Sequence, residues 1–219
     1  MAFSPNSQRL LTVSKDATAR IWDVAARREI GQLHGHVGEI TSAAFDADGH
    51  RMLTAGVDGT ARIWDAQSLT QLSELRGHSG AVYRAEFSPD GKRAYVSAEI
   101  GGTLSVIDTE TRSVINTIPL ENRQGKPVGV VVSPDGKWVY VANGNASVVS
   151  VLDAARNTVV GRIPVGRRPW GIAISPDGRT IYTADGLSDT MSVIDAATRR
   201  VIASVKVGRQ PWGVAVSPK

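Results

Sequence analysis

The chain repeats itself, and the repeat limits what it can become. Gly166-Arg167-Arg168-Pro169-Trp170-Gly171-Ile172-Ala173-Ile174-Ser175-Pro176-Asp177-Gly178 returns as Gly208-Arg209-Gln210-Pro211-Trp212-Gly213-Val214-Ala215-Val216-Ser217-Pro218, with 42 residues from Pro169 to Pro211. Looser copies run toward the N-terminus: Lys126-Pro127-Val128-Gly129 before Ser133-Pro134-Asp135-Gly136, Ala81-Val82-Tyr83-Arg84 before Ser88-Pro89-Asp90-Gly91, and Ile40-Thr41-Ser42-Ala43 before Asp46-Ala47-Asp48-Gly49. Ala2-Phe3-Ser4-Pro5-Asn6 is the tail of one more unit. A unit this short cannot bury its apolar face alone, so copies must stack on one another.

Each period splits into short alternating apolar runs, which is strand periodicity. Asp23, Asp65, Asp108, Asp153 and Asp195 close the third run of each unit at spacings of 42, 43, 45 and 42. In the last full unit, Gly171 to Ile174 and Thr180 to Ala184 flank a Ser-Pro-Asp-Gly type I turn, in which Pro sets the first central φ and Gly closes the fourth position. Thr190 to Ile194 is the third strand, and Val201, Ala203, Val205 and Val207 alternate along the fourth. A period near 42 is that of one propeller blade. The sequence therefore predicts an all-β chain with almost no helix: a five-bladed β-propeller of four-stranded antiparallel blades in one domain. Its blades span approximately residues 1–34 plus 211–219, 35–76, 77–119, 120–164 and 165–210. Trp212 to Ser217 is expected to close the ring as the inner strand of the blade begun by Arg9 to Val13, leaving Ala2-Phe3 redundant and frayed. A closed ring predicts a monomer, and an open one a homodimer completed in trans.

Composition narrows the function classes. A chain of 219 residues buries roughly 70% of the surface its unfolded form exposes, enough for a sizeable core. Without cysteine there is no disulfide or thiolate chemistry. The net charge of +4 and pI of 9.6 permit attraction to anions, but no lysine-rich tail or basic helix accompanies them, so nucleic acid is not an expected partner. No apolar run approaches the roughly 20 residues of a membrane helix, and Met1 is not followed by a charged and then apolar leader. The expectation is a soluble protein without a membrane association, cytoplasmic if the chain is native as it stands.

The first two units resemble WD repeats. The second carries Gly35-His36, Thr54, Asp58 and Ile63-Trp64-Asp65, and the first offers Thr12, Asp16 and Ile21-Trp22-Asp23 at the same offsets. The resemblance implies that His36, Thr54, Asp58 and Trp64 form a buried hydrogen-bonded tetrad, of which Thr12, Asp16 and Trp22 are a partial copy; these residues are structural in that family. The last two units resemble the YVTN β-propeller repeats of surface-layer and extracytoplasmic proteins, through Val139-Tyr140-Val141-Ala142-Asn143, Ile181-Tyr182-Thr183-Ala184-Asp185, Ser192-Val193-Ile194-Asp195 and Ile163-Pro164-Val165-Gly166. The third unit mixes the two: Gly77-His78 at its entry, then Tyr95-Val96-Ser97-Ala98 and Ser105-Val106-Ile107-Asp108. Gly101 and Ile107 stand at the tetrad's aspartate and tryptophan positions, so His78 is expected to be a surface or partly buried loop residue. Both families commonly close with seven blades, and five with ragged ends leave open a fragment or a natural or engineered hybrid.

Catalytic motifs are lacking. The histidines His34, His36, His50 and His78 sit in loops or the tetrad, no Gly-x-Ser-x-Gly elbow or phosphate-binding Gly-x-x-x-x-Gly-Lys occurs, and no cluster has metal-ligand spacing. The expectation is a non-enzymatic scaffold without cofactor or metal. The alternative by resemblance is an extracytoplasmic enzyme or cofactor-binding protein. One constellation remains. Loops entering the first strands of blades open on one face, which gathers Arg123, Lys126, Arg167, Arg168, Trp170, Arg209 and Trp212, with Tyr83 at the tryptophan-equivalent position of the third blade. Such a basic, aromatic rim could take an acidic protein or peptide partner. The competing reading is that the tryptophans fill space between blades and the arginines are solvated.

Overall fold

The computed structural model describes residues 1–78 and 80–217, in two compact units, Met1–Gly101 with Ser105–Asn116 and Gly102–Leu104 with Thr117–Lys219. Among the described residues, twenty strands make five antiparallel four-stranded sheets. The first sheet is β1 (Ala2–Phe3), β2 (Arg9–Val13), β3 (Thr18–Asp23) and β4 (Arg28–His34); the second is β5 (Ile40–Phe45), β6 (Arg51–Gly56), β7 (Ala61–Asp65) and β8 (Gln71–Leu75). The third, mostly in the first unit, is β9 (Val82–Phe87), β10 (Arg93–Ala98), β11 (Thr103–Asp108) and β12 (Ser113–Pro119). The second unit holds β13 (Pro127–Val132), β14 (Trp138–Asn143), β15 (Val148–Asp153) and β16 (Thr158–Pro164), then β17 (Pro169–Ile174), β18 (Thr180–Asp185), β19 (Thr190–Asp195) and β20 (Arg200–Lys206). One 3-10 turn at Glu121–Arg123 is the helical content of the described residues. Strands run in chain order through every sheet, as in a propeller blade.

The turns follow from the sequence. In Ser88-Pro89-Asp90-Gly91, Ser133-Pro134-Asp135-Gly136 and Ser175-Pro176-Asp177-Gly178, the glycine N–H donates to the serine carbonyl at 2.8 Å, and the serine Oγ donates to the aspartate at 2.6 Å. The glycines have φ of +66°, +70° and +72°, a region where a Cβ is strained. The aspartates ending each third strand accept the N–H groups of the next turn, as Asp65 does from Ser68 at 2.7 Å and Asp153 from Arg156 at 2.9 Å. These are Asx-turns, and they set the repeat's corners.

Blade faces supply the core. In the first unit Leu11, Ile21 and Leu33 of the first sheet meet Met52 and Trp64 of the second, and Leu53 and Ile63 of the second meet Val82, Phe87 and Val96 of the third. In the second unit Tyr140, Val149, Val151 and Ile163 of the fourth sheet meet Ile172, Ile181 and Ile194 of the fifth. Central strands such as β14 are buried on both faces, which explains their near-continuous apolar runs.

The ends differ from the expectation. Ala2–Phe3 is not frayed: Ala2 pairs with Leu11 and Phe3 with Leu10, so the chain's own N-terminus holds the inner position of the first sheet. That position was expected for Trp212 to Ser217, but residues 211–217 form no strand, and the sheets show no closing pair; Pro218 and Lys219 lie outside the described residues. A Cβ on Gly171 would come within 2.6 Å of Gly213 Cα, just as one on Gly129 would come within 2.7 Å of the Trp170 carbonyl oxygen. The terminal segment thus lies beside β17 as β17 lies beside β13. Its glycine-mediated approach to the preceding blade is the repeat's own, which is the physical reason it sits there.

Candidate functional site

The tetrad forms in the second blade. The Trp64 indole N–H donates to Thr54 Oγ1 at 2.9 Å, His36 Nε2 lies 2.9 Å from the same oxygen, and His36 Nδ1 lies 3.0 Å from Asp58. Because the Asp58 carboxylate can only accept, Nδ1 carries the proton of the neutral imidazole; Nε2 is then an acceptor, and the threonine hydroxyl donates to it while its oxygen accepts the indole N–H. A neutral imidazole satisfies every contact. Burial lowers the His36 pKa and outweighs the nearby Asp58 carboxylate, which favours the charged form. Burial alone would raise the Asp58 pKa, but N–H donation from Val37 and hydrogen bonds from Thr60 win, so it is lowered. Gly56 stays glycine because a Cβ there would fall 2.8 Å from His36 Nδ1. The first blade keeps half of this: Trp22 donates to Thr12 at 2.8 Å, while Asp16 turns away to Thr18 Oγ1 at 2.6 Å and Arg20 at 3.0 Å. Hydrogen bonding by Thr18 draws the exposed Asp16 pKa down to about 2. His78 is half-buried, and burial lowers its pKa.

A second polar knot was not legible as such in the sequence. Asp185, which reads as a turn residue, is fully buried and accepts from Thr183 Oγ1 at 2.7 Å, Ser192 Oγ at 2.6 Å and Thr190 Oγ1 at 3.3 Å. Asn143 takes the same place in the fourth blade, donating to Ser150 Oγ at 2.9 Å; that hydroxyl donates onward to Glu121, which Arg162 also reaches. Both end the second strand of a blade, where Gly56 ends β6 and leaves room for His36 and Asp58. The signal was present: Thr183-x-Asp185 with Ser192, and Asn143 with Ser150, are polar residues at buried positions of otherwise apolar strands.

The rim residues of the second unit share one end of its sheets. Each entering loop is stitched to the turn after the second strand: Gly144 N–H donates to the Lys126 carbonyl, and Gly186 N–H to the Arg168 carbonyl, both at 3.0 Å. The stitch holds Lys126 and Arg168 at φ +51° and +58°, with Gln210 at the repeated position at +48°. Arg168 Nη1 donates to Asn145 Oδ1 at 2.7 Å. Trp170 lies over Gly186, where a Cβ would collide with its ring, and its ring centroid is 4.5 Å from that of Trp212, tilted 43°. Trp212 is 66% exposed, and Arg123, Arg167 and Arg209 are exposed. Tyr83 belongs to the first unit, half-buried on β9; burial and then the Glu99 carboxylate raise its phenol pKa.

No helix of the described residues is long and apolar enough to cross a membrane. The family model "WD domain, G-beta repeat" matches residues 1–23. No curated protein matches the chain. The family model "Lactonase, 7-bladed beta-propeller" matches residues 41–208, about three quarters of the sequence and all but the first of its blade-type sheets. Both matches are to propeller repeats, as the sequence resemblance implied, and by the second of them this chain belongs to the lactonase, 7-bladed beta-propeller family.

Proposed function

We propose that this chain is a non-enzymatic β-propeller scaffold whose second unit binds an acidic protein or peptide on its rim. The observation that carries the reading is the exposed Trp212, paired with Trp170 and accompanied by exposed Arg123, Arg167 and Arg209 at the loop end of the sheets. A flat apolar group among cations suits a carboxylate-rich segment, with the guanidinium groups supplying charge and the indole supplying contact area. Trp170 itself is blade filler, since it covers Gly186. The test is titration of a glutamate-rich peptide into the full chain. Arg167→Glu with Arg209→Glu should weaken binding at least about tenfold, the scale of one lost charge-assisted contact, and leave thermal unfolding within a few degrees. Unchanged affinity would remove the rim from consideration.

A second reading draws on the family match: an enzyme that opens a lactone ring. Hydrolysis of a panel of simple lactones by the purified chain, followed by proton release, separates it from the scaffold reading.

A further inference from the structure

We propose that the groove between the fourth and fifth blades, at the end of the second unit opposite the rim, binds the arginine side chain of a peptide partner. Corresponding grooves in the first unit are filled by the chain's own arginines. In the first unit, Arg9 opens β2 and sends its guanidinium to the Ala66 carbonyl of the next blade. Arg51 opens β6 and reaches the Gly91 carbonyl of the next blade at 2.7 Å, with its guanidinium 5.4 Å from the Phe87 ring centre. These two seams of the first unit therefore carry backbone carbonyls aimed at a guanidinium, which the chain provides from the start of the preceding second strand.

In the fourth blade that starting residue is Trp138. The matching acceptors on the fifth blade are the carbonyls of Gly178 and Ala196, at the positions of Gly91 and Ala66. Neither receives a hydrogen bond among the described residues. Gly91 has a second donor, Thr109 Oγ1 at 2.6 Å; Ala196 stands at that threonine's position and has no hydroxyl to give. The result is an open groove of about 440 Å³ lined by Trp138, Tyr140, Asp135, Asp177, Arg179 and Asp195, against about 340 Å³ where Arg9 is in place. Asp177 and Asp195 each commit Oδ1 to their own turns, and Oδ2 accepts no hydrogen bond among the described residues. Two carboxylate oxygens and two carbonyl oxygens suit the five-donor fork of a guanidinium, and an aromatic wall suits its flat face.

The neighbouring cations are accounted for. Lys137 pairs with Asp135 at 3.4 Å. Arg199, which does not line the groove, stacks 4.5 Å from the Trp138 ring centre with its Nη1 against Gly161 in β16. Arg179 does line it, and its charge makes the paired aspartates necessary for a cationic guest.

The experiment titrates N-acetyl-arginine amide into the full chain and follows backbone amide shifts. Saturable shifts confined to residues 177–179 and 195–197 are expected, with the lysine analogue at least about threefold weaker because it lacks the fork. Trp138→Arg should supply the guanidinium from within, as Arg9 and Arg51 do, and abolish those shifts. Asp177→Asn with Asp195→Asn, both at turn surfaces, should weaken binding at least about tenfold and serves if Trp138→Arg does not fold. No saturable shift, equal binding of arginine and lysine analogues, or undiminished binding by Trp138→Arg or the double asparagine variant would each overturn the assignment.

Discussion

The second and fifth blades solve one problem with different chemistry. Where the second strand ends, each blade must hold its entering loop against a buried polar centre. The second blade does so with four side chains, His36, Thr54, Asp58 and Trp64, in a relay that fixes every proton. The fifth does so with one carboxylate, Asp185, which collects three hydroxyls from its own sheet. The relay spans loop, second strand, turn and third strand through side chains alone; the Asp185 knot ties β18 to β19 and meets the entering loop through the Gly166 N–H, which donates to Ser192 Oγ at 3.3 Å. The difference teaches that the repeat conserves a position for buried polarity, not a residue type, and that the two versions should fail differently.

The largest effect should come from breaking the relay at its centre. Thr54→Val keeps shape but leaves the Trp64 N–H and His36 Nε2 buried without partners, a loss of about 3 kcal/mol in chemical denaturation. Thr12→Val in the first blade strands one half-exposed indole and should cost less than about 1 kcal/mol. Asp185→Asn, which copies what Asn143 does in the fourth blade, falls between them. Equal losses at Thr54 and Thr12 would mean that the relay adds nothing to a single indole hydrogen bond.

Acid should separate the two units. The folded His36 pKa lies below its ordinary value of 6.5, so as pH falls the unfolded chain takes up a proton first and stability drops. Half-buried His78 adds in the same direction. Asp58, with its pKa lowered from 3.8, contributes stability that is lost only at still lower pH. All four histidines, His34, His36, His50 and His78, belong to the first unit. Between about pH 7 and pH 5, amide protection, corrected for the intrinsic exchange rate at each pH, should therefore fall in the first unit and stay level in the second, and His36→Gln should flatten much of the first unit's slope. A fall of equal size in both units would break the comparison.

The fold was legible because turn chemistry is local. Ser-Pro-Asp-Gly and the strand-closing aspartates reach partners within five residues, so their spacing alone marks the corners. The tetrad was legible for a related reason: its four residue types each need a partner when buried, and their offsets match a known repeat. Asp185 was missed because an aspartate before glycine also suits a turn; only its parity with Thr183 and Ser192 on buried strand positions tells the two apart. The chain ends were misread because Ala2-Phe3 and Trp212 to Ser217 are both copies of an inner strand, and no local signal says which of two copies takes a given edge. The vacant guanidinium position was hidden in the same way, since Trp138 reads as an aromatic strand former until Arg9 and Arg51 show what that position does.

The smallest effect tests the faces of the fourth and fifth blades. Ile163 in β16 and Val205 in β20 hold the same place in the repeat, yet Ile163 is 1% exposed under the fifth blade and Val205 is 43% exposed. Ile163→Ala removes buried methyl groups and leaves a cavity, a cost of about 3 kcal/mol. Val205→Ala removes little contact and should cost under about 1 kcal/mol, independent of protein concentration. A Val205→Ala loss that approached the Ile163 value at high concentration and vanished on dilution would mean that a second copy covers this face in solution, because only association makes a surface position concentration-dependent.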